Sequence, residues 1–346
     1  MNRKMRTALL MSPRFKKNCF GDNEMKKLAD IVEICADIST DMSQENMTRA
    51  IEESELIITS WETPQLTADM IPAMSDLKLV CHCAGSVKFV YAPEVLDFFR
   101  KNNVKVMTTS YALGIGVAEF TLGMIIAGLK KTFFMRDKIA AGQWKEMQGR
   151  WFDQENDALL PVEPYDIKVG VIGAGCCGTH IIKLLSNFEM DILVYDPWKT
   201  PEQCAEVGAA KAELDEIMRS CDVITLHAPG LPETNGMINA KLIKMIKDGA
   251  LFVNTARGYE VDEKVLIDEL QTGRFFACLD QTITQPAELD NPLRKMPNVM
   301  LTPHIAGHVN NGFRRQGRHV LQDIERFNAE EPLKYELKLE RLNILE

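Results

Sequence analysis

Residues 166–197, DIKVGVIGAGCCGTHIIKLLSNFEMDILVYDP, decide how the rest of the chain is read. The apolar run from Ile167 to Ile172 reads as a buried strand. It feeds directly into Gly173-Ala174-Gly175-Cys176-Cys177-Gly178. Behind that turn Ile181, Ile182, Leu184 and Leu185 recur at helical spacing, and a second apolar run, Ile192 to Tyr195, ends at Asp196. Strand, glycine turn, helix, strand and acid in this order suit a dinucleotide. Gly173 serves the tight turn and Gly175 lets backbone approach a pyrophosphate. Gly178 lets the helix pack on the strand, with the helix N-terminus facing the phosphate charge. Cys176 and Cys177 fill the positions whose backbone N–H groups should meet the pyrophosphate; their thiols read as incidental, although open to an oxidant when no nucleotide is bound. Asp196 stands where a carboxylate accepts from the adenosine ribose and repels a 2′-phosphate, which selects NAD. Lys199, three residues later, leaves the strictness of that choice open. The competing reading is a glycine turn in some other α/β protein.

The 346 residues are 46% hydrophobic and 26% charged, an ordinary balance for a soluble globular protein and a length that favours two domains. A net charge of −9 argues against nucleic acid as a partner. Nine cysteines without even spacing, and a basic N-terminus whose apolar run is too short for a secretory leader, point to reduced thiols in a cytoplasm. The most apolar helical stretch, Phe120 to Leu129, covers about half a membrane span. It reads as a buried or interface helix, with no membrane partner.

Outward from the glycine loop, the chain alternates strands and helices, which implies parallel, doubly wound sheets. Upstream, strands are expected at Thr7–Met11, Ile31–Ile34, Leu56–Thr59, Leu77–Cys83 and Val104–Met107. Helical patterns lie between them at Asn23–Ala29, Gln44–Glu53, Thr67–Met74 and Pro93–Asn102. Two loops there follow strands and are open to a ligand or to a plain turn: Ser60-Trp61-Glu62-Thr63-Pro64 and Ala84-Gly85-Ser86-Val87. Cys81-His82-Cys83 has the look of a metal fragment. Strand alternation sends His82 to the face opposite the cysteines, so no metal site is expected. Val117 to Ile139 reads as one long helix, and 145–165, with Trp151, as an irregular surface loop.

Downstream, strands end at His227-Ala228-Pro229 (with Thr234 beyond), at Thr255-Ala256-Arg257, at Asp280, and at Thr302-Pro303-His304 (with Gly307 beyond). Each cluster sits past a strand's carboxyl end, where the cofactor should lie. Arg257 can grip a carboxylate bidentately and polarise a neighbouring carbonyl, or be a structural ion pair. His304 has the chemistry of a proton shuttle, or is a satisfied structural histidine. His180 and His308 are weaker candidates, and Trp61, Trp151 and His308 are candidate pocket walls.

With these residues in hand, the chain resembles the D-isomer specific 2-hydroxyacid dehydrogenase family over nearly its whole length. The resemblance is carried by VAE at 117–119, VGVIGAGCCG at 169–178, VYDP at 194–197, LHAPGLPETNGMI at 226–238, VNTARG at 253–258 and LTPHIAG at 301–307. It implies an NAD-binding Rossmann domain, 113–308, inserted in a flavodoxin-like substrate domain built from 1–112 and 309–346. It further implies a homodimer through the cofactor domain and an active site in the cleft between domains. By the same resemblance Arg257 anchors a 2-oxo acid and His304 gives or takes the proton. Asp280 stands near the nicotinamide carboxamide, and Gly85 and Ser86 cradle the substrate carboxylate.

One position departs from the family pattern. A glutamate that pairs with the histidine is usual before the proline at 286; here Gln285 stands there. Glutamine can orient the ring but brings no charge to favour its protonated form. His304 is therefore expected to be mostly neutral at neutral pH, with 2-oxo acid reduction displaced to lower pH. Gln285-Pro286-Ala287 also resembles the formate dehydrogenases, but Leu113 stands where those carry an asparagine. Two further readings stay open: a formate-dehydrogenase-like enzyme, and an NAD(H)-binding redox sensor akin to the family's transcriptional corepressors.

Overall fold

A computed structural model describes residues 3–144, 161–307 and 309–342. The chain forms two compact units, Met1–Leu113 with His308–Glu346, and Gly114–Gly307.

The first unit holds five parallel strands: β1 (Arg6–Leu10), β2 (Glu33–Asp37), β3 (Leu56–Ser60), β4 (Leu79–Cys83) and β5 (Lys105–Thr108). Their order, β2-β1-β3-β4-β5, is that of a flavodoxin-like sheet. β3 and β4 are buried at every position, which is why they read as unbroken apolar runs. The helix Phe313–Asn328 returns to this sheet and buries Val320, Leu321 and Ile324 against Leu9, Ile58 and Cys81. The buried Asp323 accepts the backbone N–H groups of Lys334 and Tyr335 and so ties down the segment that follows.

The second unit holds seven parallel strands: β6 (Tyr165–Ile172), β7 (Glu189–Tyr195), β8 (Ala210–Lys211), β9 (Val223–Leu226), β10 (Leu251–Asn254), β11 (Phe276–Leu279) and β12 (Val299–Leu301). The order is β12-β11-β10-β9-β6-β7-β8. It reverses direction between β6 and β9, the place where a doubly wound sheet opens a crevice beyond its carboxyl ends. Both faces are sealed by apolar clusters, one around Phe252 and Phe275 and the other around Val171 and Phe276.

Several expectations are corrected. The long helix foreseen over Val117–Ile139 is two, Ser110–Leu129 and Thr132–Ala140. They break at Lys131, whose φ of 53° lies in the left-handed region. The first of these is 20 residues long with a mean hydropathy of 1.9, so by length and composition it could span a bilayer rather than about half of one. Within the second unit it instead packs on the sheet. Thr121 bonds Thr255 at 3.0 Å, and Cys278 lies 3.7 Å from the Met124 carbonyl. The strand expected at Ile31–Ile34 begins at Glu33, because the helix Asp22–Ile31 continues further than its polar pattern suggested. Thr67–Met74 is a 3-10 helix over Ala68–Met74 that contains Pro72. The loop expected over 145–165 lies largely outside the described residues, as does Trp151.

Candidate active site

The glycine loop stands at the carboxyl end of β6. Gly173 has φ +90°, and a Cβ there would lie 2.8 Å from the His227 carbonyl oxygen. At Gly178 a Cβ would lie 1.9 Å from the Gly173 oxygen, so the helix Cys176–Leu185 crosses the turn at a distance only glycine permits. Around Gly175, by contrast, nothing stands within 4 Å of where a Cβ would be. Gly175 is also the helix N-cap and offers no side-chain bond, so the first-turn N–H groups can receive an anion. These are the open approach and the donors that a pyrophosphate needs. Asp196 is buried, accepting from the N–H of Ala174 at 2.8 Å and of Trp198 at 2.9 Å, which fixes its carboxylate beside the loop. Lys199 lies close by, its carbonyl accepting from Lys211 Nζ at 2.6 Å.

His227 is buried beneath this loop. Its Nε2 meets Thr225 Oγ1 at 2.9 Å and its Nδ1 meets Cys177 Sγ at 3.2 Å. Burial lowers its pKa to about 3, so the ring is a neutral brace between strand and helix. Burial also raises both loop thiols, Cys177 to about 12. Cys176 is nevertheless exposed and Cys177 half-buried, so both stay within reach of an oxidant, as thiols whose reactive thiolate is scarce at neutral pH. Ala228 and Pro229 follow, and Thr234 closes their turn by bonding the Pro229 and Leu231 carbonyls. Thr255 is buried against Thr121, and Ala256 is buried beside it. His180 is half-buried on the helix behind the loop.

Asp280, at the end of β11, organises the loop that carries His304. Its carboxylate accepts from Thr302 Oγ1 at 2.5 Å, from Ile305 N–H at 2.9 Å and from Ala306 N–H at 2.8 Å. Gly307 closes this segment. His304 itself adopts φ 57°. Its Nδ1 lies 2.8 Å from Gln285 Oε1. The Gln285 Nε2 donates to Gln281 Oε1 at 2.5 Å and to the Thr282 carbonyl at 3.4 Å, and this network sets which way the amide faces. With Oε1 accepting, Nδ1 carries the proton and Nε2 is left as a proton acceptor. A cavity of about 460 Å³ adjoins the pair, lined by Asp280, Thr282, Pro286, Arg294 and Thr302 among others. The Gln285–Pro286 peptide is cis.

Arg257 leaves the end of β10 on a turn held by Asn254, which accepts from Ala256 N–H at 2.9 Å and donates to the Arg257 carbonyl at 3.0 Å. Its side chain is exposed, with Nη1 donating to the Ala256 carbonyl at 2.8 Å. Gly258 brings this turn onto the next segment: a Cβ there would lie 2.2 Å from the Thr282 carbonyl carbon. The arginine turn therefore rests directly on the Gln281–Gln285 segment that orients His304. A guanidinium and an oriented imidazole on one frame can hold an anion and move a proton next to it.

A family model for the NAD binding domain of D-isomer specific 2-hydroxyacid dehydrogenases matches residues 122–306. The chain belongs to the D-isomer specific 2-hydroxyacid dehydrogenase family. Its cofactor is NAD. This dehydrogenase-family chain is 29% identical over 289 residues to a D-3-phosphoglycerate dehydrogenase of Archaeoglobus fulgidus, covering 83% of this chain and 52% of that protein. It is also 29% identical to a hydroxypyruvate reductase of Thermotoga maritima, over 83% of this chain and 89% of that one. Against the first curated relatives the chain thus spans about half their length. A solved phosphoglycerate oxidoreductase from Rhizobium etli superposes with a TM-score of 0.79 at 22% identity, covering 96% and 98% of the two chains, a likeness of fold.

The candidates in the first unit of this dehydrogenase-family chain are set apart in their own surroundings. Trp61 is 40% exposed and packs on Phe15 and Phe313, with ring centroids 5.5 and 6.2 Å away. The Gly85 carbonyl accepts from Ser110 Oγ at 2.8 Å, and Leu113 lies against Gly85. The Ser86 carbonyl lies 3.0 Å from His82 Nε2. His82 is a core residue: it is fully buried, its Nδ1 meets Thr59 Oγ1 at 2.9 Å, and burial lowers it to about 4. Among the described residues no three His, Cys, Asp or Glu side chains gather as a metal site. His308 lies outside the described residues. Sequence reasoning missed Gln281, which fixes the Gln285 amide, and Glu260, an acid buried three residues beyond Arg257. The only signal for Glu260 is a charge in the otherwise apolar approach to Val261.

Proposed function

We propose that the chain is an NAD-dependent oxidoreductase that interconverts a 2-oxo acid and a D-2-hydroxy acid. The observation that carries the reading is the His304–Gln285 contact, which orients the ring and leaves Nε2 without a partner among the described residues, on the same frame as Arg257 and in the same unit as the glycine loop. NAD, when bound, supplies or accepts the hydride at the 2-carbon. Arg257 is the carboxylate anchor: its planar fork matches a carboxylate and polarises the adjacent carbonyl. His304 Nε2 takes the hydroxyl proton in oxidation and returns it in reduction. Gln285 holds the tautomer and Asp280 holds the loop. Trp61, Gly85 and Ser86 are carried as substrate-side candidates. The homodimer and the cytoplasmic setting belong to the same reading. All nine cysteines are free thiols, in keeping with a reducing compartment. Light scattering tests the dimer.

The neutral Gln285 favours one alternative, a redox sensor that binds NAD(H) without turnover. The deciding experiment follows NADH oxidation with hydroxypyruvate, pyruvate and branched 2-oxo acids, and NAD reduction with formate as a further arm. Turnover with a 2-oxo acid is expected. Tight NADH binding with no turnover on any of them would replace the enzyme reading with the sensor, and turnover of formate alone would replace the substrate class.

A further inference from the structure

Glu260 closes the short turn Gly258–Glu260, three residues past Arg257. It is fully buried, and among the described residues neither carboxylate oxygen has a hydrogen-bond partner. Its backbone is clamped: the Ile238 N–H donates to the Glu260 carbonyl at 2.9 Å, and the Gly236 N–H donates to the Tyr259 carbonyl at 2.9 Å. The paired segment, Gly236-Met237-Ile238, carries no charge. The neighbouring acids are turned elsewhere. Asp262 accepts from Val265 N–H, and Glu263 accepts from Ile283 N–H and from Asn291. The charged group that acts on Glu260 is Arg257, through its guanidinium and through a backbone N–H that falls short of a well-formed hydrogen bond to the carboxylate.

An ionised carboxylate without donors is far more costly in such a place than a protonated one. Burial accordingly raises Glu260 to about 8, with Arg257 pulling the other way. We propose that Glu260 is a positioning residue for Arg257: as a neutral acid in its sealed site it leaves the guanidinium free for a substrate carboxylate, and on ionising it competes for that guanidinium. This rests on the reading of Arg257 as the carboxylate anchor. The proton is lost to solvent and no other bond changes. The affinity for an anionic substrate then falls above the titration of Glu260, at a limit of roughly tenfold per pH unit.

Oxamate, an unreactive 2-oxo acid mimic, is the probe. Its dissociation constant is measured by calorimetry on protein saturated with NADH, between about pH 6 and about pH 10, for the natural chain and for Glu260→Gln. Every other group is common to both proteins, so the difference isolates Glu260. The expected result is a constant that rises more steeply above about pH 8 in the natural chain than in the variant. Superimposable curves overturn the inference. Oxamate binding to neither protein at any pH overturns the anchor reading of Arg257 instead. Should the variant not fold, infrared spectra of the natural chain decide: a buried protonated-carboxyl band present at neutral pH and lost in step with oxamate release supports the inference, and absence of that band at neutral pH overturns it.

Discussion

At the scale of single residues, the site turns on one amide. Gln285 presents Oε1 to His304 Nδ1 at 2.8 Å while Gln281 and Thr282 hold its Nε2. A neutral acceptor orients the imidazole but does nothing to favour its charged form, whereas a carboxylate at the same distance would do both. Gln285→Glu is therefore expected to move the pH limit for 2-oxo acid reduction upward by about one pH unit. The measurement is the pH–rate profile of both proteins, and an unmoved profile rejects the charge argument. The substitution also asks Gln281 to turn its amide, since a glutamate oxygen would face the Gln281 oxygen. Gln285 was legible in the sequence because it stands inside a recognisable run. Glu260 was not, because burial and the absence of a partner arise only when Gly236–Ile238 is laid alongside it.

At the scale of elements, the break after the apolar helix Ser110–Leu129 carries a cost. Lys131 is 1% exposed, its Nζ has no hydrogen-bond partner among the described residues, and it sits 3.8 Å from the centre of the Phe276 ring. Burial lowers it from the usual 10.5 to about 8. A lysine lowered in the folded state weakens folding as pH falls from 10.5 toward 8, and the loss persists in full below that. The ring contact offsets part of it. Lys131→Met, which keeps the volume and removes the charge, is expected to stabilise the protein at pH 7 by about 1–3 kcal/mol. Urea unfolding at that pH is the check, and a loss of stability would show that the ring contact outweighs desolvation. The sequence hid this break because Lys130-Lys131-Thr132-Phe133-Phe134 carries neither glycine nor proline and continues a helical pattern. The short helix Pro201–Glu206, by contrast, was announced and passed over: Thr200 and Gln203 form a capping box with Pro201 at the first position.

At the scale of the molecule, each unit has its own parallel sheet and its own apolar layers, and the alternation that announced both was legible because strands covered on two faces read as uninterrupted apolar runs. In the second unit the candidate ligand-binding positions were legible, because glycine, acid, arginine and histidine each follow a strand. The first unit withheld it, because Trp61, Gly85 and Ser86 engage neighbours whose identity no local pattern predicts. NADH binding should therefore register in Gly114–Gly307. At about a hundredfold excess over its dissociation constant it is expected to add about 2.7 kcal/mol to stability. Hydrogen exchange should slow at the amides of Gly173–Gly178, and unchanged exchange there would remove the glycine loop from the cofactor site. Gly258 carries a consequence for the protein's history. Its backbone lies against that of Thr282, and any side chain would drive into the Thr282 carbonyl. The loops that flank this seam can accept change, but the seam itself has no room for a side chain. A library of all twenty residues at position 258, screened for soluble protein that binds NADH, should return glycine alone.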